Sequence, residues 1–139
     1  MSGPLKLILL ATVFVVPALG QTAALPTDKT VVVLGQTLHY WDVGSGPVVV
    51  LVHGLGSKKE NDWGRVVAPL SQKYRVIAPD QLGFGQSDKP VIDYSIQTYV
   101  DFLNEFLHEL KIEKATLIGE SLGGGFPGCT RWRRGATST

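Results

Sequence analysis

The sequence predicts an α/β fold in which helices flank a mostly parallel sheet. Short strand-like runs alternate with helical segments, and glycine-rich turns directly follow three of the runs. The run Val48–Val52 is apolar at every position, which suits a strand that helices cover on both faces. Because the carboxyl ends of parallel strands share one edge of a sheet, the turns at residues 53–56, 79–85 and 119–124 are expected to meet there.

The remaining strands are predicted from β-rich or continuous apolar runs. Residues 30–34 and 37–41 flank Gly35-Gln36 and indicate a hairpin ahead of the buried strand. Shorter apolar runs at residues 74–78 and 115–118 predict two further strands.

Two helices are predicted between the strands. Residues 63–70 indicate a weak helix, broken by Gly64 and ended near Pro69. Ser95 is suited to cap a longer helix, because its hydroxyl can accept an unpaired backbone N–H. The apolar residues of that helix recur at spacings of three and four and so share one face: Ile96, Tyr99, Val100, Leu103, Leu107 and Leu110.

A serine lies in the turn after the last predicted strand. The pentapeptide Gly119-Glu120-Ser121-Leu122-Gly123 fits the pattern G-x-S-x-G, in which the serine occupies a sharp turn between a strand and a helix. Small residues suit this turn because its backbone is strained and neighbouring elements press against it. A serine there can act as a nucleophile only if a base takes its proton.

Three motifs in this order resemble those of the α/β-hydrolase fold family. They are His53-Gly54-Leu55-Gly56, the loop from Pro79-Asp80 through Gly83-Phe84-Gly85 to Lys89-Pro90, and the turn around the serine. The likeness covers about residues 31–124 and makes the chain similar to the N-terminal portion of a serine-type α/β hydrolase. It implies that Ser121 is the nucleophile and that the backbone N–H groups of Leu55 and Leu122 form the oxyanion hole.

The end of the sequence departs from the family pattern. That pattern places the catalytic acid and histidine after the serine, yet no Asp, Glu or His follows Ser121. Residues 123–128 are too rich in Gly and Pro to continue a helix. We interpret residues 125–139 as an irregular basic tail read out of frame, with a tail of independent role as the alternative. The fold would then be truncated after the nucleophile elbow, and the strand at residues 115–118 would become an exposed edge prone to aggregation.

Other polar residues near the turns are interpreted as structural. His53 is expected to shape its turn, and His39 and His108 to be solvated or structural. Asp80 is expected to order its loop by accepting backbone N–H groups. Glu120 precedes the serine, but side-chain direction at a turn argues against a role as its proton acceptor.

Composition excludes several classes of function. The net charge of +1 gives no reason to expect a nucleic-acid partner. The single Cys129 has no partner for an internal disulfide, and no Cys/His cluster has metal-ligand spacing. The glycine-rich turns match neither a P-loop nor a dinucleotide-binding motif, so no cofactor and no metal are expected.

Residues 1–20 are predicted to be a secretory signal peptide. Lys6 precedes an apolar run over residues 7–16, and cleavage is expected after Ala18-Leu19-Gly20. The apolar run is shorter than the ~20 residues of a membrane-spanning helix. We therefore expect a secreted or periplasmic protein with no stable membrane anchor after cleavage. Residues 21–124 would be the N-terminal part of its hydrolase domain.

The sequence thus predicts a serine hydrolase that acts on a small-molecule ester, amide or related bond. The 139 residues are expected to be inactive as they stand, because a base is missing. A serine rather than an aspartate argues against the dehalogenase and epoxide-hydrolase branches of the fold, while esterase, lipase, peptidase and carbon–carbon hydrolase branches stay open. The alternative is a non-catalytic secreted binding module that retains the half-fold.

Overall fold

The computed structural model describes residues 25–121 and 129–135. The predicted signal peptide at residues 1–20, the predicted oxyanion-hole residue Leu122 and the glycine-rich run at residues 123–128 lie outside the described residues. Within the two described ranges, no helix is both long enough and apolar enough to cross a membrane.

Six strands in the described part of the chain form one mixed sheet. The strands are β1 (Lys29–Val33), β2 (Gln36–Val43), β3 (Val48–Val52), β4 (Arg75–Pro79), β5 (Lys114–Gly119) and β6 (Cys129–Arg133), and the helices are α1 (Lys59–Trp63), α2 (Val67–Ser71) and α3 (Ile96–Glu109). Their order across the sheet is β1-β2-β4-β3-β5-β6. The three central strands run parallel, whereas β2 is antiparallel to β4 and β6 is antiparallel to β5. The predicted α/β class is confirmed.

The apolar run of β3 lies between two hydrophobic clusters, one on each face of the sheet. Val50 and Val52 belong to a cluster that includes Phe106 of α3. Val49 and Leu51 belong to a second cluster, which includes Val67 of α2. Side chains of a strand alternate between faces, so a strand covered on both sides needs apolar residues throughout.

The hairpin forms one residue earlier than the sequence indicates. Val33 pairs with Gln36, which leaves Leu34 and Gly35 as the two turn residues. Their φ angles are 49° and 78°, as in the two-residue turns whose twist matches that of the flanking strands. The prediction placed the turn at Gly35-Gln36, between the two β-rich runs. Leucine at a positive φ is uncommon, so the sequence gives no local sign that Leu34 belongs to the turn.

The predicted helix over residues 63–70 is wrong, since two shorter helices take its place. Gly64 ends α1, and its N–H donates to the Glu60 carbonyl at 3.2 Å. Pro69 lies inside α2 rather than at its end. It occupies the first turn of that helix, where a backbone N–H has no intrahelical acceptor and a proline is tolerated.

The predicted N-cap of the long helix is confirmed. Ser95 Oγ accepts the backbone N–H of Thr98 at 3.2 Å. The apolar face begins later than the spacing indicates, because Ile96 is 64% exposed. Phe106, which the apolar pattern omitted, is buried against the ring of Tyr40 at a centroid distance of 5.3 Å.

The expectation of an irregular tail and an exposed edge is wrong for residues 129–133. These residues form β6, which pairs antiparallel with β5 from Ile118↔Cys129 to Lys114↔Arg133. Trp132 Nε1 donates to Asn104 Oδ1 on α3 at 2.8 Å. The unpaired backbone groups of an edge strand favour pairing with a further strand. β6 is that strand for β5, although its sequence has no amphipathic pattern.

Candidate active site

Strand β5 carries the predicted nucleophile to the carboxyl edge of the parallel strands. Ser121 is the second residue after the end of the strand, is exposed, and has a φ of 53°. A non-glycine residue rarely adopts this left-handed conformation, which carries backbone strain. The sharp strand-to-turn geometry expected of G-x-S-x-G is therefore present at this serine.

The glycine-rich turn after β3 lies directly against the serine. β3 and β5 are neighbours, with Val52 in register with Gly119. A Cβ atom placed on Gly54 would stand 3.2 Å from the Cβ of Ser121 and 3.0 Å from Oε2 of Glu120. A Cβ at position 54 would crowd the serine turn, so glycine suits this close approach.

His53 is fully buried and holds two turns together. Its Nδ1 donates to the Gly54 carbonyl at 2.8 Å, and its Nε2 accepts the backbone N–H of Gln81 at 2.9 Å. The Gln81 side chain returns a hydrogen bond to the His53 carbonyl at 2.7 Å. Both ring nitrogens are engaged, which supports the structural interpretation of this histidine.

Asp80 orders the loop after β4, as the sequence indicates. The carboxylate is fully buried and accepts the backbone N–H groups of Gln86 at 3.0 Å and Lys59 at 2.9 Å. Burial alone would raise the pKa of Asp80, but these hydrogen bonds and the Lys59 ammonium lower it. Gly85 allows the loop backbone to pass close to the Asp80 carboxylate, since a Cβ at this position would lie 2.1 Å from the Asp80 carboxyl carbon.

The buried Lys59 is a residue that the sequence did not single out. Its Nζ lies 2.7 Å from Asp80, 3.0 Å from Asp28 and 3.1 Å from Glu60, and 5.7 Å from the ring centroid of Trp41. Burial acts to lower the pKa of Lys59, but hydrogen bonds to the three carboxylates prevail and raise it. A lysine in a charged stretch usually predicts a solvated face, so no pattern marked it as buried.

Asp62, on α1, was also missed by sequence reasoning. Its Oδ2 accepts the backbone N–H of Gly54 at 2.9 Å, and its Oδ1 accepts the Ser57 hydroxyl at 2.5 Å. Burial acts to raise its pKa, but the hydrogen bonds from Ser57, Gly54 and Glu120 lower it. Its place at the Gly54 turn depends on how α1 packs, which local sequence does not specify.

Leu55 borders an open apolar cavity of about 650 Å³ at the same edge. The side chain is 63% exposed. Its neighbours in the lining include Phe84, Val91, Ile92, Tyr94 and Ile96. The lining of this cavity is of a kind that holds apolar groups.

One group of possible metal ligands lies in the described part of the chain, and it is remote from these turns in sequence. Glu105, His108 and Glu109 on α3 present ligand atoms within 4.8 Å of one another. His108 and Glu109 are exposed, and the Arg134 guanidinium lies against the His108 ring. Exposed acidic groups of this kind are common, and nothing else in the described residues points to a bound cation.

The fold and this edge define an α/β protein in which a strained serine after one parallel strand faces a glycine turn from the adjacent strand. A family model described as alpha/beta hydrolase fold matches residues 47–126. The chain belongs to the alpha/beta hydrolase fold family.

Several relatives share this part of the chain. An uncharacterized protein of Mycobacterium tuberculosis is 45% identical over 100 residues, which are 72% of this chain and 29% of the relative. A haloalkane dehalogenase of Mesorhizobium japonicum is 34% identical over 102 residues, which are 73% of this chain and 33% of the relative. The crystal structure of a meta-cleavage product hydrolase from Pseudomonas fluorescens matches with a TM-score of 0.67 at 40% identity, covering 70% of this chain and 37% of that one. This chain therefore spans about a third of the length of the relatives it matches.

Proposed function

We propose that the chain is the nucleophile-bearing portion of a serine hydrolase that cleaves an ester, amide or related bond in a small molecule. The observation that carries the proposal is Ser121 at a φ of 53° with the Gly54 turn packed against it. Relatives with hydrolase names support the broader class. The family resemblance implies an aspartate at the elbow in the dehalogenase branch, so the serine at this position supports serine chemistry.

The proposed reaction assigns each group a role at the carboxyl edge of the sheet. Ser121 Oγ attacks the substrate carbonyl carbon while a base takes its proton. The backbone N–H groups of Leu55 and Leu122 donate to the oxygen that becomes negative, and the loss of one such donor costs about 3 kcal/mol of barrier. The apolar cavity beside Leu55 would receive an apolar part of the substrate.

The acid and base of this reaction are not among residues 122–139, which contain no Asp, Glu or His. We therefore expect the 139 residues alone to show no turnover, since oxyanion-hole and binding effects without a base leave little catalysis. The predicted signal peptide at residues 1–20 supports a secreted or periplasmic site of action. N-terminal sequencing of the mature protein should begin at Gln21.

The test is to read the coding DNA beyond the Ser121 codon in all frames and to assay the longer product. We expect an amphipathic helix followed by Asp and His codons, and hydrolysis of p-nitrophenyl esters by that product. Ser121→Ala should lower kcat by about 10⁶-fold, as removal of a catalytic serine does. Ser45→Ala, in an exposed loop at the opposite end of β3, is the matched control and should keep full activity. Activity that survives Ser121→Ala would contradict the proposal.

A non-catalytic secreted binding module is the second candidate. The observation in its favour is β6, which pairs along β5 and so completes the described sheet without further strands. The two candidates differ in what they require of the coding DNA. A reading frame that ends without encoding an acid and a histidine, together with a soluble chain that unfolds cooperatively, would favour the binding module.

A further inference from the structure

A second open cavity, of about 520 Å³, lies at the amino end of the parallel strands, the edge of the sheet opposite Ser121. Its lining includes the first residue of each parallel strand, namely Val48, Arg75 and Lys114. The volume falls within the range of roughly 300–1,000 Å³ that small-molecule sites occupy. This cavity is therefore large enough for a ligand and is separate from the turns around the serine.

The lining of this cavity is strongly basic. It contains five cationic side chains and one carboxylate, that of Glu113. Asp42 accepts the Arg75 guanidinium at 2.9 Å and 3.0 Å, and Arg134 donates to Glu113 at 2.9 Å. Within residues 25–121 and 129–135, no carboxylate lies within ion-pair distance of the four remaining cations, Lys111, Lys114, Arg131 and Arg133.

The pairing of β5 with β6 brings three of these cations together. Lys114 lies directly opposite Arg133, and Thr116 lies directly opposite Arg131. Residues two apart on a strand share a face with each other and with their cross-strand partners. Lys114, Arg131 and Arg133 therefore share one face of the sheet. Like charges that lie directly opposite each other destabilise a strand pair, and an anion bound between them would relieve the repulsion.

Neither helix on this face of the sheet covers the arginines. Val49, in register with Thr116, belongs to the hydrophobic cluster of Val67 in α2, so this is the face of α1 and α2. Those two helices pack against β3 and β4. Arg131 and Arg133 are exposed. Their guanidinium groups are thus accessible to a ligand in solution.

We propose that this basic cavity is a binding site for a phosphate-bearing anion. A guanidinium binds phosphate through two parallel N–H donors, and a lysine ammonium adds compact positive charge. The net charge of the whole chain is only +1, so the excess of cations is local to this cavity. A free phosphate compound and a phospholipid headgroup present the same chemical group to it. The site does not depend on the function proposed for Ser121.

The first test is calorimetric titration of the full chain with inorganic pyrophosphate in a chloride buffer of low ionic strength. We expect saturable binding that Arg131→Gln and Arg133→Gln each weaken about tenfold, equivalent to one charge-assisted hydrogen bond. Arg65→Gln is the matched control, because Arg65 is an exposed arginine between α1 and α2 and its loss changes the net charge equally. Absence of binding, or equal weakening by Arg65→Gln, would overturn the proposal.

The second test is urea denaturation with and without pyrophosphate. A ligand that binds only the folded chain raises the denaturation midpoint, so pyrophosphate should stabilise the unchanged chain more than Arg133→Gln. Without pyrophosphate, Arg133→Gln should be at least as stable as the unchanged chain, since it removes the repulsion with Lys114. If Arg133→Gln does not fold, Lys114→Gln on the neighbouring strand makes the same comparison. Equal stabilisation of variant and unchanged chain would refute the site.

Cosedimentation with vesicles of phosphatidylglycerol and phosphatidylcholine identifies the source of the phosphate. Vesicle binding that pyrophosphate reverses and Arg133→Gln weakens would assign the site to a lipid headgroup. Pyrophosphate binding without vesicle binding would assign it to a free phosphate compound. None of these measurements requires turnover, so failure of the anion site and failure of the proposed function are distinguishable.

Discussion

Asp80 accepts two hydrogen bonds from Lys59, one from the backbone N–H at 2.9 Å and one from Nζ at 2.7 Å, and neither side chain is exposed. Lys59 is the first residue of α1, whereas Asp80 follows β4. The pair therefore fixes the start of the helix that carries Asp62 against the loop that contains Gly85.

Replacing Lys59 with methionine should destabilise the chain by about 3 kcal/mol, because it leaves a buried carboxylate without its cation. The free energy of unfolding from urea denaturation measures this. Lys58→Met is the matched control, since Lys58 is exposed, and it should change stability by less than about 0.5 kcal/mol. Equal losses in the two variants would contradict the proposed importance of the buried pair.

Stability should fall in acid because of Asp80. Its pKa is below the ordinary 3.8 in the folded chain, so its contribution is present above the unfolded pKa and is lost as the pH falls through the folded value. Urea denaturation from neutral pH into acid should show a decline that begins near pH 3.8. Asp80→Asn should be less stable at neutral pH and should decline less in acid, while the exposed Asp93→Asn should follow the unchanged chain. If the free energy of unfolding declined equally in acid for the unchanged chain and both variants, Asp80 would not be the source of the acid sensitivity.

Gly85→Ala should cost at least about 3 kcal/mol, since a left-handed alanine is strained and its Cβ displaces a buried carboxylate. Gly56→Ala is a close comparison, because Gly56 also has a positive φ but a Cβ added there would meet no atom within 4 Å. That change should cost only the backbone strain, about 1 kcal/mol. Thermal or urea unfolding of both variants provides the measurement, and similar losses would show that strain alone governs this loop.

Trp132 should contribute to the attachment of β6. Trp132→Phe keeps an apolar ring against the core but loses the hydrogen bond to Asn104, so it should cost about 1 kcal/mol. Trp132→Ala loses packing as well and should cost about 2 kcal/mol. Light scattering should then show association in Trp132→Ala, because detachment of β6 uncovers β5. A variant that stays monomeric and as stable as the parent would contradict this role.

The sequence predicted the parts of the fold that depend on local pattern. The uninterrupted Val48–Val52 run, the Ser95 cap and the alternation of strands and helices along the chain up to β5 were recoverable from periodicity and turn chemistry. The predicted helix over residues 63–70 was wrong, because Gly64 ends α1 whereas Pro69 is tolerated in the first turn of α2. Antiparallel β6 was missed because its pairing is dictated by the edge of β5 and not by its own residues.

The candidate site was predicted in its backbone but not in its charged support. Ser121 and the glycine turns are marked by a motif, since they must adopt a special conformation or allow close approach. Lys59 and Asp62 carry no such mark, because any helix on the surface can present lysine and aspartate. Their function in the structure depends on long-range packing that brings α1 between two turns.

The pairing of β6 with β5 also makes two states of the sheet mutually exclusive. One edge of a strand can accept one neighbour, and Cys129–Arg133 occupies the backbone groups of β5 from Lys114 to Ile118. A parallel strand from elsewhere in a longer polypeptide, or from a second molecule, can join at that position only by displacing β6. Competition for a single strand edge would then decide whether the serine stands at the rim of a small sheet or in the middle of a larger one.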